Sequence, residues 1–124
     1  MKEMKYTTSF SFIEMEILDE SSYNGYDYYI VSYGSHPCAY IELTDKHPFF
    51  GKDYDDIPID VHGGLTFGCE LHPHIGKICI GWDYAHLGDY NPYLPHIGGH
   101  KWTTKEIQQD IYNVIKQLKD YEQD

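Results

Sequence analysis

Tyr26-Asp27-Tyr28-Tyr29-Ile30-Val31-Ser32-Tyr33-Gly34-Ser35-His36-Pro37-Cys38-Ala39-Tyr40-Ile41-Glu42-Leu43 is the stretch on which the fold turns. Tyr29, Val31 and Tyr33 share one phase of a two-residue period, and Ala39, Ile41 and Leu43 share one phase of a second run. Side chains alternate across a strand, so each run reads as a strand with one apolar face. Gly34-Ser35-His36-Pro37 between them carries turn chemistry, which makes the pair an antiparallel hairpin.

Outward from the hairpin, residues 8–18 read as a further strand. Phe10 and Phe12 hold one phase there while Ile13, Met15 and Ile17 hold the other, a slip that a bulge near Phe12 or a short helix explains. Ile59, Val61, Leu65 and Phe67 set the phase of a fourth strand interrupted by Gly63-Gly64, and Ile78, Ile80 and Trp82 that of a fifth. Residues 87–102, rich in Gly and Pro, read as a long irregular connection. Thr103 with Glu106 forms a capping box ahead of Ile107, Ile111, Val114, Ile115 and Leu118, whose spacing is that of a helix with one apolar face. The expected architecture is a single α+β domain over residues 1–124: a mostly antiparallel sheet of about five strands covered by the C-terminal helix.

A chain of 124 residues, 41% hydrophobic, suffices for one core. No apolar run approaches the ~20 residues that cross a bilayer, and no secretory leader pattern opens the chain, so a cytoplasmic protein is expected. Cys38, Cys69 and Cys79 are an odd number without a CxxC pair, which argues for reduced, buried thiols rather than a disulfide scaffold.

Charge narrows function further. The chain carries 20 acidic residues against 9 lysines, with no arginine, for a net charge of −11. The first 62 residues hold 12 of the acids and 4 of the lysines, so the negative field is polarised toward the N-terminal half. Phosphate neutralisation needs Lys or Arg clusters, so direct nucleic-acid binding is disfavoured and a basic protein surface or a metal ion is the favoured partner. Residues 44–58 form a loop with Phe49-Phe50 beside Asp53, Asp55 and Asp56, a plausible contact surface. Glu14, Glu16, Asp19 and Glu20 extend the carboxylates available to it.

The candidate chemistry lies between Asp60 and Asp89. His62 precedes Gly63-Gly64, and Asp83-x-x-His86-x-x-Asp89 follows the fifth strand. Imidazole and carboxylate are zinc ligands, and three of them spaced by three residues converge if the chain turns, with His62 arriving from the neighbouring strand. His62, Asp83, His86 and Asp89 are therefore the expected metal ligands. The competing reading has Asp83 and Asp89 capping turns while the two histidines hydrogen-bond to backbone or carboxylate. Cys69-x-x-His72-x-His74 is a rival ligand set. A metal-dependent hydrolase built on the same His/Asp cluster is the enzymatic alternative, and a binding module for a small ligand in the loop from Leu87 to Trp102 is a third reading. A Cys38 or Cys69 nucleophile is disfavoured because no cationic neighbour marks a depressed thiol, and Gly63-Gly64 and Gly98-Gly99 lack phosphate-loop spacing.

Asp60-Val61-His62-Gly63-Gly64-Leu65-Thr66 and Ile80-Gly81-Trp82-Asp83-Tyr84-Ala85-His86-Leu87-Gly88-Asp89, with Lys101-Trp102-Thr103 opening the last helix, resemble segments of small acidic phage-encoded anti-CRISPR proteins. These proteins block a type II CRISPR effector nuclease, and the group includes a zinc-containing kind. The resemblance spans roughly the final two-thirds of the chain. It implies a non-enzymatic inhibitor that binds its nuclease directly inside a bacterial host cell, with a structural zinc holding the fold.

Overall fold

The computed structural model describes residues 2–7, 12–86 and 88–122, with backbone alone for 2–7 and 12–14. The strands are β1 (Lys2–Thr7), β2 (Phe12–Tyr23), β3 (Tyr26–Ser32), β4 (Pro37–Glu42), β5 (Phe67–Leu71) and β6 (Ile78–Asp83), followed by the helix α1 (Thr104–Asp120). The strands form one antiparallel sheet in the order β1-β2-β3-β4-β6-β5. The first four make a meander. The chain then loops away to lay β5 on the far edge before β6 returns beside β4.

The hairpin of β3 and β4 forms, but the core face of β3 is Tyr28 and Ile30, opposite Ile41 and Ala39, while the expected phase of Tyr29, Val31 and Tyr33 lies on the other face of the sheet. β2 runs on to Tyr23, beyond the expected end at residue 18, because Asn24-Gly25 closes a two-residue turn with φ of 50° and 86°. Positive φ at both central residues matches the strand twist, and Asn-Gly is the pair that adopts it at least cost. Phe12 pairs regularly with Thr7; the register shift lies instead between Ile17 and Asp19, where Leu18 is the extra residue against β3. Thr8 and Phe10 lie outside the described residues. β1 is a strand beyond those expected.

The expected strand over residues 59–67 is corrected. Residues 57–66 form an irregular strap, with Ile57, Ile59 and Leu65 buried. Gly63 and Gly64 take φ of 68° and 81°, and the Gly64 N–H donates to the Val61 carbonyl at 2.9 Å, closing a turn. A left-handed pair reverses the chain, so sheet pairing begins only at Thr66, whose N–H donates to the Gly81 carbonyl.

The helix starts where the capping box places it. The Thr103 hydroxyl accepts from the Glu106 N–H at 3.2 Å, and the Glu106 carboxylate accepts from the Thr103 N–H at 2.9 Å. Ile107, Ile111, Val114, Ile115 and Leu118 are all buried against Tyr28, Ile30, Ala39, Ile41, Ile80 and Trp82. Full burial of each such aliphatic side chain contributes about 1.5–3 kcal/mol, which anchors the helix to the sheet. Met15, Val31, Cys38, Tyr40 and Cys79 form a smaller cluster on the opposite sheet face. Burial pushes the Cys38 and Cys79 thiols up to about 12, which keeps them protonated and unreactive as nucleophiles. Among the described residues no helix is long and apolar enough to cross a membrane.

Candidate metal centre

Three segments meet beyond the end of β6: the strap before Gly63, the turn after Asp83, and the connection that leads into the helix. His62 leaves the strap with its ring stacked on Tyr84, centroids 4.9 Å apart and planes 12° from parallel, and with Trp102 at 4.9 Å on another side. Its Nε2 lies 2.9 and 3.1 Å from the two Asp89 carboxylate oxygens. Asp89 also accepts from the His86 N–H at 2.9 Å and from the Trp102 indole N–H at 2.8 Å. Only 4% of its side chain is exposed. Burial pushes the Asp89 carboxyl up, but the hydrogen bonds from His62, the His86 amide and Trp102 outweigh it and bring the group below its ordinary value. Asp89 is thus an ionised carboxylate held in place by three donors.

His86 completes the cluster. Its Nδ1 lies 3.8 Å from Asp89 and 3.6 Å from Asp83, and it is buried without a hydrogen-bond partner. The imidazole rests against Gly63: a Cβ there would stand 2.3 Å from the ring. Glycine at 63 therefore serves both the left-handed turn and the close approach of His86.

One donor atom each from His62, His86 and Asp89 lies within 4.8 Å of the other two, the arrangement found among the described residues that can hold a metal ion. Zinc bonds of about 2.1 Å put tetrahedral donors roughly 3.4 Å apart. The 2.9 and 3.8 Å separations from Asp89 straddle that length, and the unpartnered Nδ1 of His86 is the lone pair such an ion would take up. The residues fit a cation.

Asp83, the fourth expected ligand, stands outside this group. Its Oδ1 accepts from the Ala85 N–H at 3.2 Å and its Oδ2 from the Thr66 hydroxyl at 3.3 Å. Asp83 caps the turn, whereas Asp89 reaches the cluster; the two sequence readings of these carboxylates divide between them. Tyr84 and Trp102, both in the quoted segments, gained no role from spacing. The structure makes one the stacking wall for His62 and the other a donor to Asp89. Tyr84 is fixed in turn by accepting from the Trp82 indole and donating to Asp110 at 2.6 Å.

The rival set is not such a cluster. His72 is 2% exposed, and its Nδ1 accepts from the His74 and Ile75 N–H groups, each at 3.2 Å. Nε2 must then carry the proton and donates to the Tyr33 hydroxyl at 2.9 Å. Burial, with His74 nearby, lowers the imidazole to about 4. The Cys69 sulfur accepts from the Gly51 N–H instead of facing the two histidines.

In the acidic loop, Asp53, Asp55 and Asp56 are exposed around a short 3-10 turn, Tyr54–Asp56, and Phe50 is 38% exposed. Phe49 is corrected as a contact residue. It is buried at 6% exposure between His47 and Tyr121, ring centroids 5.0 and 4.7 Å away, so its burial serves the core. Tyr54, 43% exposed, stands in the loop where Phe49 was expected to act. Glu16 and Glu20 are exposed, Asp19 is half-buried against Gln108, and the Glu14 side chain lies outside the described residues.

Fold and site together define a small α+β protein with a two-histidine, one-carboxylate cluster able to hold a metal ion. No family model, no curated protein and no solved structure matches the chain.

Proposed function

We propose that this protein is an acidic inhibitor that binds a cationic surface of a bacterial nucleic-acid-handling nuclease, a type II CRISPR effector by the resemblance of its central segments. It acts in the cytoplasm of the host cell and uses no catalysis of its own. The observation that carries this reading is the arrangement of charge. Three carboxylates stand exposed within four residues beside Phe50 and Tyr54, in a chain with 20 acids, 9 lysines and no arginine. Effector nucleases line their guide and target channels with positive charge, and a negative surface with aromatic anchors competes for such a channel. The cation held by His62, His86 and Asp89 is zinc in this reading, since imidazole and carboxylate are both ordinary zinc ligands. Its role is to tie the strap, the end of β6 and the connection before the helix into one body.

The test is a DNA-cleavage assay with a purified type II effector. The native protein should suppress cleavage, and reversing Asp53, Asp55 and Asp56 to lysine should restore it while leaving the melting temperature near its original value. Unchanged inhibition by the triple variant would remove this loop as the contact surface. Absence of inhibition by the native protein would remove the function.

A second reading, a small metal-dependent hydrolase, is favoured by the three-donor composition of the cluster, since catalytic zinc sites keep one position for water. Hydrolysis of model esters or phosphodiesters that depends on added zinc and vanishes in His62→Ala would establish it.

A further inference from the structure

A groove of about 770 Å³ opens beside the metal cluster, and nothing in the inhibitor reading uses it. His86 and Asp89 form part of its inner wall, and Pro92, Tyr93, Leu94 and Ile97 form an apolar outer wall. Tyr93 and Ile97 are 74% and 69% exposed, and with Leu94 at 44% they line one groove together instead of standing scattered on the surface. Two of the three cluster residues, His86 and Asp89, line the groove and His62 does not, so an ion held by all three would be open to the groove on the side of His86 and Asp89. Asp83 is not among the three clustered donors, which by themselves leave one position of a four-coordinate ion open.

We propose that this groove binds a small monoanionic ligand with an apolar body, its oxygen-donor head completing the coordination of the metal ion and its body lying along Tyr93, Leu94 and Ile97. The inference rests on the metal reading of the cluster. A divalent ion with two neutral imidazoles and one carboxylate keeps a positive charge, which draws an anion into the fourth position. The lining contains no lysine. A polyphosphate would meet only the His36 imidazole to balance its remaining charge, whereas a single carboxylate is balanced by the ion itself. The apolar wall then supplies the affinity that a bare carboxylate lacks.

Cobalt(II) in place of zinc makes the site visible, because its visible absorption reports coordination number and ligand exchange. The full-length cobalt protein titrated with 4-phenylbutyrate should change spectrum at concentrations at least about tenfold below those needed for acetate, with inorganic phosphate weaker than phenylbutyrate. Tyr93→Ala with Ile97→Ala, both at exposed positions, should abolish the advantage of phenylbutyrate over acetate and leave cobalt uptake unchanged. Asp83→Asn should leave the cobalt spectrum unchanged. A spectrum that forms but ignores phenylbutyrate overturns the ligand site and leaves the metal centre standing; a groove that seats a protein segment gives this same outcome. Collapse of the spectrum in Asp83→Asn makes Asp83 a fourth ligand and closes the position. Failure of the folded protein to take up cobalt or zinc at all overturns the metal reading and this inference with it.

Discussion

At Gly63 two demands fall on one atom that is absent. The residue sits at a φ of 68°, and the space its Cβ would fill is taken by the His86 ring. Gly63→Ala must therefore strain the turn or displace His86, and both routes act on the cluster. A loss of roughly 1–3 kcal/mol in unfolding free energy is expected, together with weaker zinc uptake, read by chemical denaturation and by zinc titration. Uptake and stability equal to the native protein would show that His86 does not need this approach. His72 makes a separate prediction. Its folded value near 4 lies below the ordinary 6.5, so the unfolded chain binds the extra proton between those limits and stability falls as pH drops from about 6.5 to 4. Each unit is worth about 1.4 kcal/mol, so the full loss is on the order of 3 kcal/mol. Asp89, with its lowered carboxyl, adds a second loss at more acidic pH, as protonation proceeds through its folded value. Urea midpoints from pH 7 down to 4 should decline, and His72→Asn should flatten that decline.

The elements show which local signals were readable. The capping box, the apolar face of the helix and the β3–β4 hairpin all stand in consecutive residues, and each forms where its pattern places it. Thr103→Ala removes the acceptor for the Glu106 N–H; a loss of about 1 kcal/mol is expected by thermal or chemical denaturation, with the sheet unaffected. The length of β2 escapes an apolar-alternation reading, which ends the strand at residue 18, because the polar run Asp19-Glu20-Ser21-Ser22 hides it and only the Asn24-Gly25 turn marks its end. The strap over residues 57–66 misleads for the opposite reason. Its Ile59 and Leu65 are buried like strand residues, but they enter the main core from an irregular segment, and burial alone does not distinguish the two.

For the whole molecule, the cluster joins parts of the chain that the sheet leaves separate. The strap and the connection before the helix have little regular hydrogen bonding of their own, so their order depends on contacts such as His62 to Asp89 and Trp102 to Asp89. Metal bound only by the folded state adds stability as the logarithm of its free concentration over its dissociation constant. Removing zinc with a chelator should lower the melting temperature by several degrees, and His86→Ala should abolish that difference between metal-loaded and metal-free protein. A melting temperature indifferent to zinc would mean that hydrogen bonds alone hold this corner. Charge acts on the same scale. With a net charge of −11, association with a cationic nuclease should slow markedly between 50 and 300 mM salt, measured as the on-rate by surface plasmon resonance, while dissociation changes little.

Sequence alone determined what is periodic or cumulative: the β3–β4 hairpin, the capped amphipathic helix, the α+β class and the acidic balance. Each depends on neighbours in the chain or on a sum over it. It also marked the residues of the cluster, because imidazoles and carboxylates at close spacing have little packing purpose. Tertiary structure decided which of them meet. Asp89 turns inward beneath Trp102 while Asp83 turns to cap its own backbone, and Phe49 enters the core while Phe50 stays outside. Spacing sets how far a side chain can reach, but the direction it points is set by partners distant in the chain, here Tyr84, Trp102 and the space left by Gly63.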